Sequence, residues 1–423
     1  MRRLSVLLLL LLLLPAACFC APERIEGTII PAVLLNRIPD TDYVYISVLA
    51  KTGPANESNS TGGFSALIAS LLLTETRNRS AGEMEEIFYR LNGSMNVSTT
   101  PDATEIRLLC ARKNLSGAMR ILGDCLSSPK FTPESVKKAR ENAFEGMARE
   151  ADTPLGRAYD RLRFSLYGSS PYKRSMYGSA TAVGKATPKQ LYSFFNEGFC
   201  PARLVLSVTG NVTAAELKKL IDTSFFRSFP SPERRGIHKY NETVKESGRE
   251  YVRNETDGQT YCLLGFLAPA ADEEDWAPMT VISGILGSGK SGRLFRELRQ
   301  KEGFCYSVGC RYPSLLRQSH IFLYASTAQA GEDRLSELML ALIEDLKTKP
   351  VTREEIDRAA KYIVTQEEID RENPANLARL TAFEELYGTL DDKARRLAQV
   401  TPEAVMECAN KYFTRYKEVV CKP

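Results

Sequence analysis

The sequence predicts an α+β protein made of two homologous domains, each an antiparallel or mixed sheet packed with helices. Three observations predict it. The chain has 423 residues, 43% of them apolar, which is more than one ordinary core needs and suits two domains of about 200 residues. Strand-like and helix-like patterns alternate along the chain. Landmarks of the first half return, in the same order, in the second.

The elements follow in order from local patterns. The opening MRRLSVLLLLLLLLPAACFCA has two arginines, an apolar run from Val6 to Leu14 and small residues behind it. It reads as a signal peptide over 1–21, with an apolar run too short to span a bilayer. The mature chain is therefore expected outside the cytoplasm, whether secreted, periplasmic or at the cell surface, and Cys18 sits in a weak lipid-attachment pattern. Across a first domain at 24–230, the segments 42–51, 104–112 and 204–209 read as strands, while 115–126 and 133–150 have helical spacing. The polar stretch SPERRGIHKYNETVKESGRE, 231–250, has no period and reads as the linker. In a second domain at 251–423, strands are expected at 259–267, 304–312, 320–327 and 417–421, and helices at 333–347 and 353–368.

The repetition is specific. FTPESVKKAR at 131 and VTREEIDRAA at 351 share a Thr-x-Glu helix start. Pro154 and Pro374, then Leu166-Tyr167-Gly168 and Leu386-Tyr387-Gly388, recur 220 positions apart. Thr187-Pro188 and Phe199 answer Thr401-Pro402 and Phe413 at an offset of 214. Four ordered landmarks identify a duplication.

Composition excludes several functions. A net charge of +4 with no basic stripe gives no case for a nucleic-acid partner. Nine of the fifteen asparagines, Asn56, Asn59, Asn78, Asn92, Asn96, Asn114, Asn211, Asn241 and Asn254, head N-x-[ST] triplets, the pattern of a glycoprotein surface. Eight cysteines follow the signal and form no C-x-x-C, so no zinc knuckle or thioredoxin-type site is expected. Cys408 and Cys421 are the pair expected to bridge first, with buried free thiols as the alternative. The two histidines, His238 and His320, lie far apart and form no ligand pattern.

GILGSGKS, from Gly284 to Ser291, matches the G-x-x-x-x-G-K-[ST] phosphate loop. Such a loop needs a strand leading into it and a helix leaving it. Here DEEDWAPMTVISGIL places Trp276, Met279, Ile282 and Leu286 at helical spacing, so a helix runs into the glycines. No nucleotide is expected.

The residues around that loop point elsewhere. GSGKSGRLFRELRQKEGFCYSVG resembles the second-domain signature of the pitrilysin/insulinase family of zinc peptidases, the family of the mitochondrial processing peptidase: a glycine-rich turn, then sRLf-x-x-LR-x-x-x-GlaYs. RSAGEMEEIFYRLNGSMNVSTT is similar to the family's first-domain segment ending in NA-x-t. The resemblance spans nearly the whole mature chain. It implies two like domains facing each other across a peptide-binding chamber.

Active members hold zinc with H-x-x-E-H on one helix and a distal glutamate, because ligands one turn apart share a face and the intervening Glu deprotonates the metal-bound water. In GFSALIASLLLTETRNRS, Ala66 and Ser70 stand at the histidine positions and Ala69 at the base. The distal position falls on Gly146, beside Glu145. No metal is expected in this chain and no catalytic group of its own.

Other family features persist. Arg299 and Tyr306 have the seven-residue spacing of the family's substrate-facing pair, in which a guanidinium offers donors to a carbonyl and a phenol to an oxyanion. Asn96 and Val97 match the peptide-accepting edge strand, with Val97 in place of the usual alanine. Gly284, Gly287, Gly289, Lys290 and Gly292 match the substrate-handling loop of noncatalytic processing-peptidase subunits, or form a plain helix-to-helix turn. The resemblance thus implies a noncatalytic, substrate-binding subunit of a metalloprotease. Its zinc would sit in a heterodimeric partner, an H-x-x-E-H paralogue, and peptide or unfolded protein would be the substrate. The alternative is a stand-alone, proteolytically inactive peptide-binding or scaffold protein of the same fold.

Overall fold

The computed structural model describes residues 21–224, 240–256, 258–303, 305–328, 331–390 and 392–423. The expected signal peptide with Cys18, apart from Ala21, and residues 231–239 of the expected linker, with His238, lie outside the described residues. Among those described, no helix is long and apolar enough to cross a membrane.

The first half runs β1 (Glu23–Arg24), β2 (Ala32–Arg37), β3 (Tyr43–Ala50), α1 (Phe64–Leu71), α2 (Ala81–Arg90), β4 (Ser94–Thr99), β5 (Thr104–Ala111), α3 (Leu115–Ser127), α4 (Pro133–Asp152), α5 (Pro154–Leu166), α6 (Ala180–Lys185), α7 (Pro188–Gly198), β6 (Leu204–Gly210) and α8 (Ala214–Ser224). The second runs β7 (Gly248–Arg253), β8 (Thr260–Ala268), α9 (Trp276–Gly287), a π-helical turn (Phe295–Lys301), β9 (Ser307–Arg311), β10 (Ser319–Thr327), α10 (Glu332–Thr348), α11 (Arg353–Arg371), α12 (Pro374–Tyr387), α13 (Lys393–Ala398), α14 (Pro402–Tyr412) and β11 (Lys417–Lys422). β7 starts inside the polar stretch, at Gly248, because Gly248 to Arg253 pair in parallel with Lys417 to Lys422 of β11.

The sheets have the same plan. Their orders are β1-β2-β6-β3-β5-β4 and β7-β11-β8-β10-β9. Without β1, each strand has its counterpart, including one parallel pair, β2 with β6 and β7 with β11. The repeated landmarks of the sequence are helix starts and helix ends, Leu166-Tyr167-Gly168, Leu386-Tyr387-Gly388, Phe199 and Phe413 being the ends. Thr132, Thr153, Thr187, Thr352 and Thr401 cap α4, α5, α7, α11 and α14 by accepting a backbone N–H with the side-chain oxygen, and Asn373 does so for α12. Proline follows the cap in five of these six helices, where its missing N–H leaves nothing unpaired.

Each sheet packs its own helices on one face. α1, α3, α4 and α7 supply Leu67, Leu122, Val136 and Leu191 to the first core, and α9, α10, α11 and α14 supply Ile282, Met339, Ile356 and Val405 to the second. The other face takes a helix from the opposite half. α5 lays Ala158, Leu162 and Leu166 on Leu263, Phe322 and Val419 of the second sheet. α12 lays Ala382 and Leu386 on Leu34, Leu49 and Val205 of the first. Each fully buried leucine is worth about 1.5–3 kcal/mol, so the exchange ties the halves together.

Polar groups fill the same seam. Asp102 on the β4–β5 turn accepts from Tyr172 and from the Leu316 N–H at 3.1 Å, while Arg317 donates to the Ala55 carbonyl. His320 is buried between the hydroxyls of Tyr159 (2.9 Å to Nε2) and Tyr167 (2.8 Å to Nδ1). Tyr167 donates to the Gln318 carbonyl at 3.3 Å, so every group is satisfied with a neutral ring that donates from Nδ1 and accepts at Nε2.

The cysteines correct an expectation. All eight described cysteines are free thiols. Cys408 lies in the core on one face of the second sheet, and Cys421 points into the α5 seam on the other. The sheet separates them.

Candidate functional site

The helix expected at the zinc-helix position starts tightly. Gly63, at φ +100°, begins α1, and the buried Glu57 carboxylate accepts from the N–H groups of Gly63 (2.7 Å) and Ser65 (2.8 Å). Burial raises its pKa above the ordinary carboxylate range, against the pull of those bonds. Along α1, Leu67, Ile68 and Leu71 face the core. Ala66 and Ala69 are half-buried and Ser70 is exposed on the other side, so the three positions share a face without offering one metal ligand.

α4 packs against α1 and brings Gly146 to this region. There the position is filled from outside. A Cβ on Gly146 would stand 2.5 Å from Cζ of Tyr177, so the tyrosine ring occupies the space that a glutamate side chain would need. The ring is set by a turn in which the Tyr177 N–H donates to Ser175 Oγ (3.1 Å) and the Gly178 N–H to the Ser175 carbonyl (2.9 Å). Glu145 is exposed and lies 3.9 Å from Arg149. Among the described residues, no three His, Cys, Asp or Glu side chains gather as a metal site. The residues present do not fit a zinc ion. Nothing in the sequence pattern marks Tyr177, which meets Gly146 only through the fold.

Beside Ser70 a hollow of about 750 Å³ opens between α1, α2 and the first half of α4, lined by Glu75, Glu85, Lys137, Lys138 and Glu141 among others. β4 borders α1, and Thr99 Oγ1 lies 3.5 Å from the Ser65 carbonyl. Among the described residues, β4 is the edge of its sheet and pairs only with β5, Asn96 opposite Arg107 and Val97 opposite Ile106. Asn96 is exposed, whereas Val97 leans on the core, so a backbone edge is free beside the degenerate helix.

Arg299 and Tyr306 come together on the other sheet. The π-helical turn closes with the Glu302 N–H donating to the Glu297 carbonyl at 3.2 Å. Such wide turns occur often at functional sites. The Arg299 guanidinium carbon lies 5.7 Å from the centre of the Tyr306 ring and 5.3 Å from that of Phe295. Tyr306 stands just before β9, at a bulge: its N–H donates to the Ser326 carbonyl (2.8 Å) and the next N–H, of Ser307, to Ser326 Oγ (3.2 Å). Two residues facing one turn the strand and re-aim a side chain, and the Tyr306 side is 73% exposed. β9 starts later than the sequence predicts for this reason. Sequence reasoning passed over Phe295, although it stands one helical turn before Arg299 in the quoted GRLFREL.

The glycine-rich loop joins helices. α9 runs into it, a 3₁₀ turn spans Gly289–Ser291, and no strand precedes it. A Cβ on Gly284 would touch Ala359 at 3.0 Å, and one on Gly287 would stand 2.9 Å from Cys310, so these two glycines let α9 lie close to α11 and β9. Gly289 has φ +50°, Gly292 starts the next helical segment by accepting from the Arg296 N–H at 3.2 Å, and Lys290 is exposed.

Comparison with known proteins places this geometry. Residues 32–179 match the family described as insulinase (peptidase family M16), and residues 185–363 match the M16 peptidase inactive domain. The chain is 26% identical over 391 residues to an uncharacterized zinc protease of Rickettsia felis, covering 90% of this chain and 92% of the relative. It is 25% identical over 399 residues to the zinc protease PqqE of Helicobacter pylori, covering 90% and 88%. Among solved structures, a protease from Helicobacter pylori superposes with a TM-score of 0.86 at 23% identity, over 96% of this chain and all of the other. The M16 peptidase inactive domain from Pseudomonas fluorescens does so with 0.82 at 19% identity, over 95% and 98%.

Proposed function

Because the chain belongs to the insulinase family of M16 peptidases, we propose that it is a noncatalytic, substrate-binding subunit of an extracytoplasmic M16 zinc protease. Its partner is a chain carrying H-x-x-E-H and the zinc, and the two enclose an extended peptide. One observation carries the reading: Arg299 and Tyr306 are displayed together, while Ala66, Ala69, Ser70 and Gly146 have no ligand and Tyr177 closes the distal position.

The roles follow from the chemistry of each group. Arg299 directs its N–H donors at the bound peptide, and Tyr306 donates to the oxyanion formed when the partner's water attacks. The free edge of β4 around Asn96 and Val97 takes the peptide by strand addition, which asks little of its sequence. The glycine-rich loop with Lys290 borders the substrate path. Glycosylation suits a secreted chain only at some triplets, since Asn254 is buried and the Asn114 amide donates to the Arg90 and Leu91 carbonyls at the end of α2.

The test mixes this protein with the H-x-x-E-H relative from its own genome. Peptide hydrolysis should rise on mixing, and Arg299→Ala and Tyr306→Phe should each remove about tenfold or more of that gain with unchanged melting temperature. Hydrolysis indifferent to the added subunit would instead favour a stand-alone binding or scaffold protein.

A further inference from the structure

This inference rests on the reading above and concerns what Arg299 meets on the peptide. The turn around it is laced with charge, and its other ions are already paired. Arg293 lies 2.8 Å and Arg296 3.8 Å from Glu355, Lys301 2.7 Å from Glu297, and Glu302 3.1 Å from Arg334. The acids of the turn are thereby committed, and among the described residues none pairs with Arg299. Two rings flank its guanidinium, Phe295 from the same helical face and Tyr306 from the strand, at 5.3 and 5.7 Å.

An arginine stays charged at any working pH, and its fixed fork matches a carboxylate with two parallel hydrogen bonds. A peptide carbonyl would take one donor and leave the charge unneutralised. We propose that Arg299 binds a carboxylate of the peptide, so that this subunit selects acidic substrates. Phe295 is the positioning residue: stacked one turn away, it limits the directions in which the fork points. The carboxylate is either an acidic side chain or the peptide's own C-terminus.

Three fluorescein-labelled ten-residue peptides of serine and alanine separate these sources by fluorescence anisotropy. One has a central Glu and an amidated end, one a central Gln and an amidated end, and one no acid and a free C-terminus. The Glu peptide, the free-end peptide or both should bind about tenfold tighter than the Gln amide, a difference of about 1.4 kcal/mol. The preference should shrink as salt rises, vanish in Arg299→Gln, fall about threefold or more in Phe295→Ala at unchanged melting temperature, and return in Phe295→Tyr. Equal binding of all three peptides by the wild type overturns the inference, and a preference that survives Phe295→Ala overturns the positioning role. If Arg299→Gln weakens all three alike, carboxylate selection falls while the Arg/Tyr reading stands. If Arg299→Gln changes nothing, or the wild type binds no peptide, both fall.

Discussion

Tyr177 and Gly146 fit each other through the absence of a single carbon, and that fit is measurable. Gly146→Ala should cost about 1–3 kcal/mol by overpacking, and the penalty should largely disappear when Tyr177 is Ala, a coupling that a double-mutant cycle in urea reads directly. Restoring the family's ligands with Ala66→His, Ala69→Glu, Ser70→His and Gly146→Glu should give stoichiometric zinc, measured by elemental analysis, only when Tyr177 is also trimmed. His320 offers a test by pH. Burial first, and the charge of Arg163 second, pull its pKa down to about 3, while the unfolded ring keeps an ordinary value near 6.5. The unfolded state therefore binds the extra proton between those values, so this stabilisation is complete above about pH 6.5 and is lost as pH falls, by up to about 1.4 kcal/mol per pH unit. The tyrosines touching the ring, Tyr159 and Tyr167, have raised pKa values and do not titrate in this window. Urea titrations at pH 7.5, 6.5 and 5.5 should show a steeper loss for the wild type than for His320→Gln.

Helices show what a local pattern does and does not encode. The starts of α4 and α11 are legible because a cap is decided by neighbouring residues, a Thr accepting from the backbone just ahead of it, whereas those of α5, α7, α12 and α14 show in the sequence only as the repeated Pro154 and Pro374, Thr187-Pro188 and Thr401-Pro402. The partner of an apolar face is decided elsewhere: nothing in Leu162 or Leu386 says which half will cover it, and the exchange of α5 and α12 was not readable. The glycine-rich segment was readable as the end of a helix, since Trp276, Met279, Ile282 and Leu286 keep helical spacing. The reason for its glycines was not, because α11 and β9, which they let approach, lie far along the chain. Gly287→Ala should accordingly lower stability by about 1–3 kcal/mol in chemical unfolding, while Lys290→Ala leaves it unchanged.

For the whole molecule, the duplication and the α+β class were both visible in the sequence, and so was the spacing of Arg299 and Tyr306. The filling of the space beside Gly146 was hidden, because Tyr177 reaches it from a turn beyond α5. The exchanged helices make the two sheets one cooperative unit. Trp276, the single tryptophan, is buried in the second half, so its fluorescence reports there while far-ultraviolet circular dichroism reports everywhere. The two unfolding curves should coincide. Leu386→Ala, which opens a cavity on the first sheet, should shift both together by about 2–5 kcal/mol; separate midpoints would show that the halves unfold alone. The same interlocking has a consequence for a nicked chain. A protease cutting between Ser224 and Tyr240 would sever the backbone and free neither fragment: each would still grip the other's sheet by a borrowed helix, and the pair would travel through a sizing column as one particle until denaturant parted it.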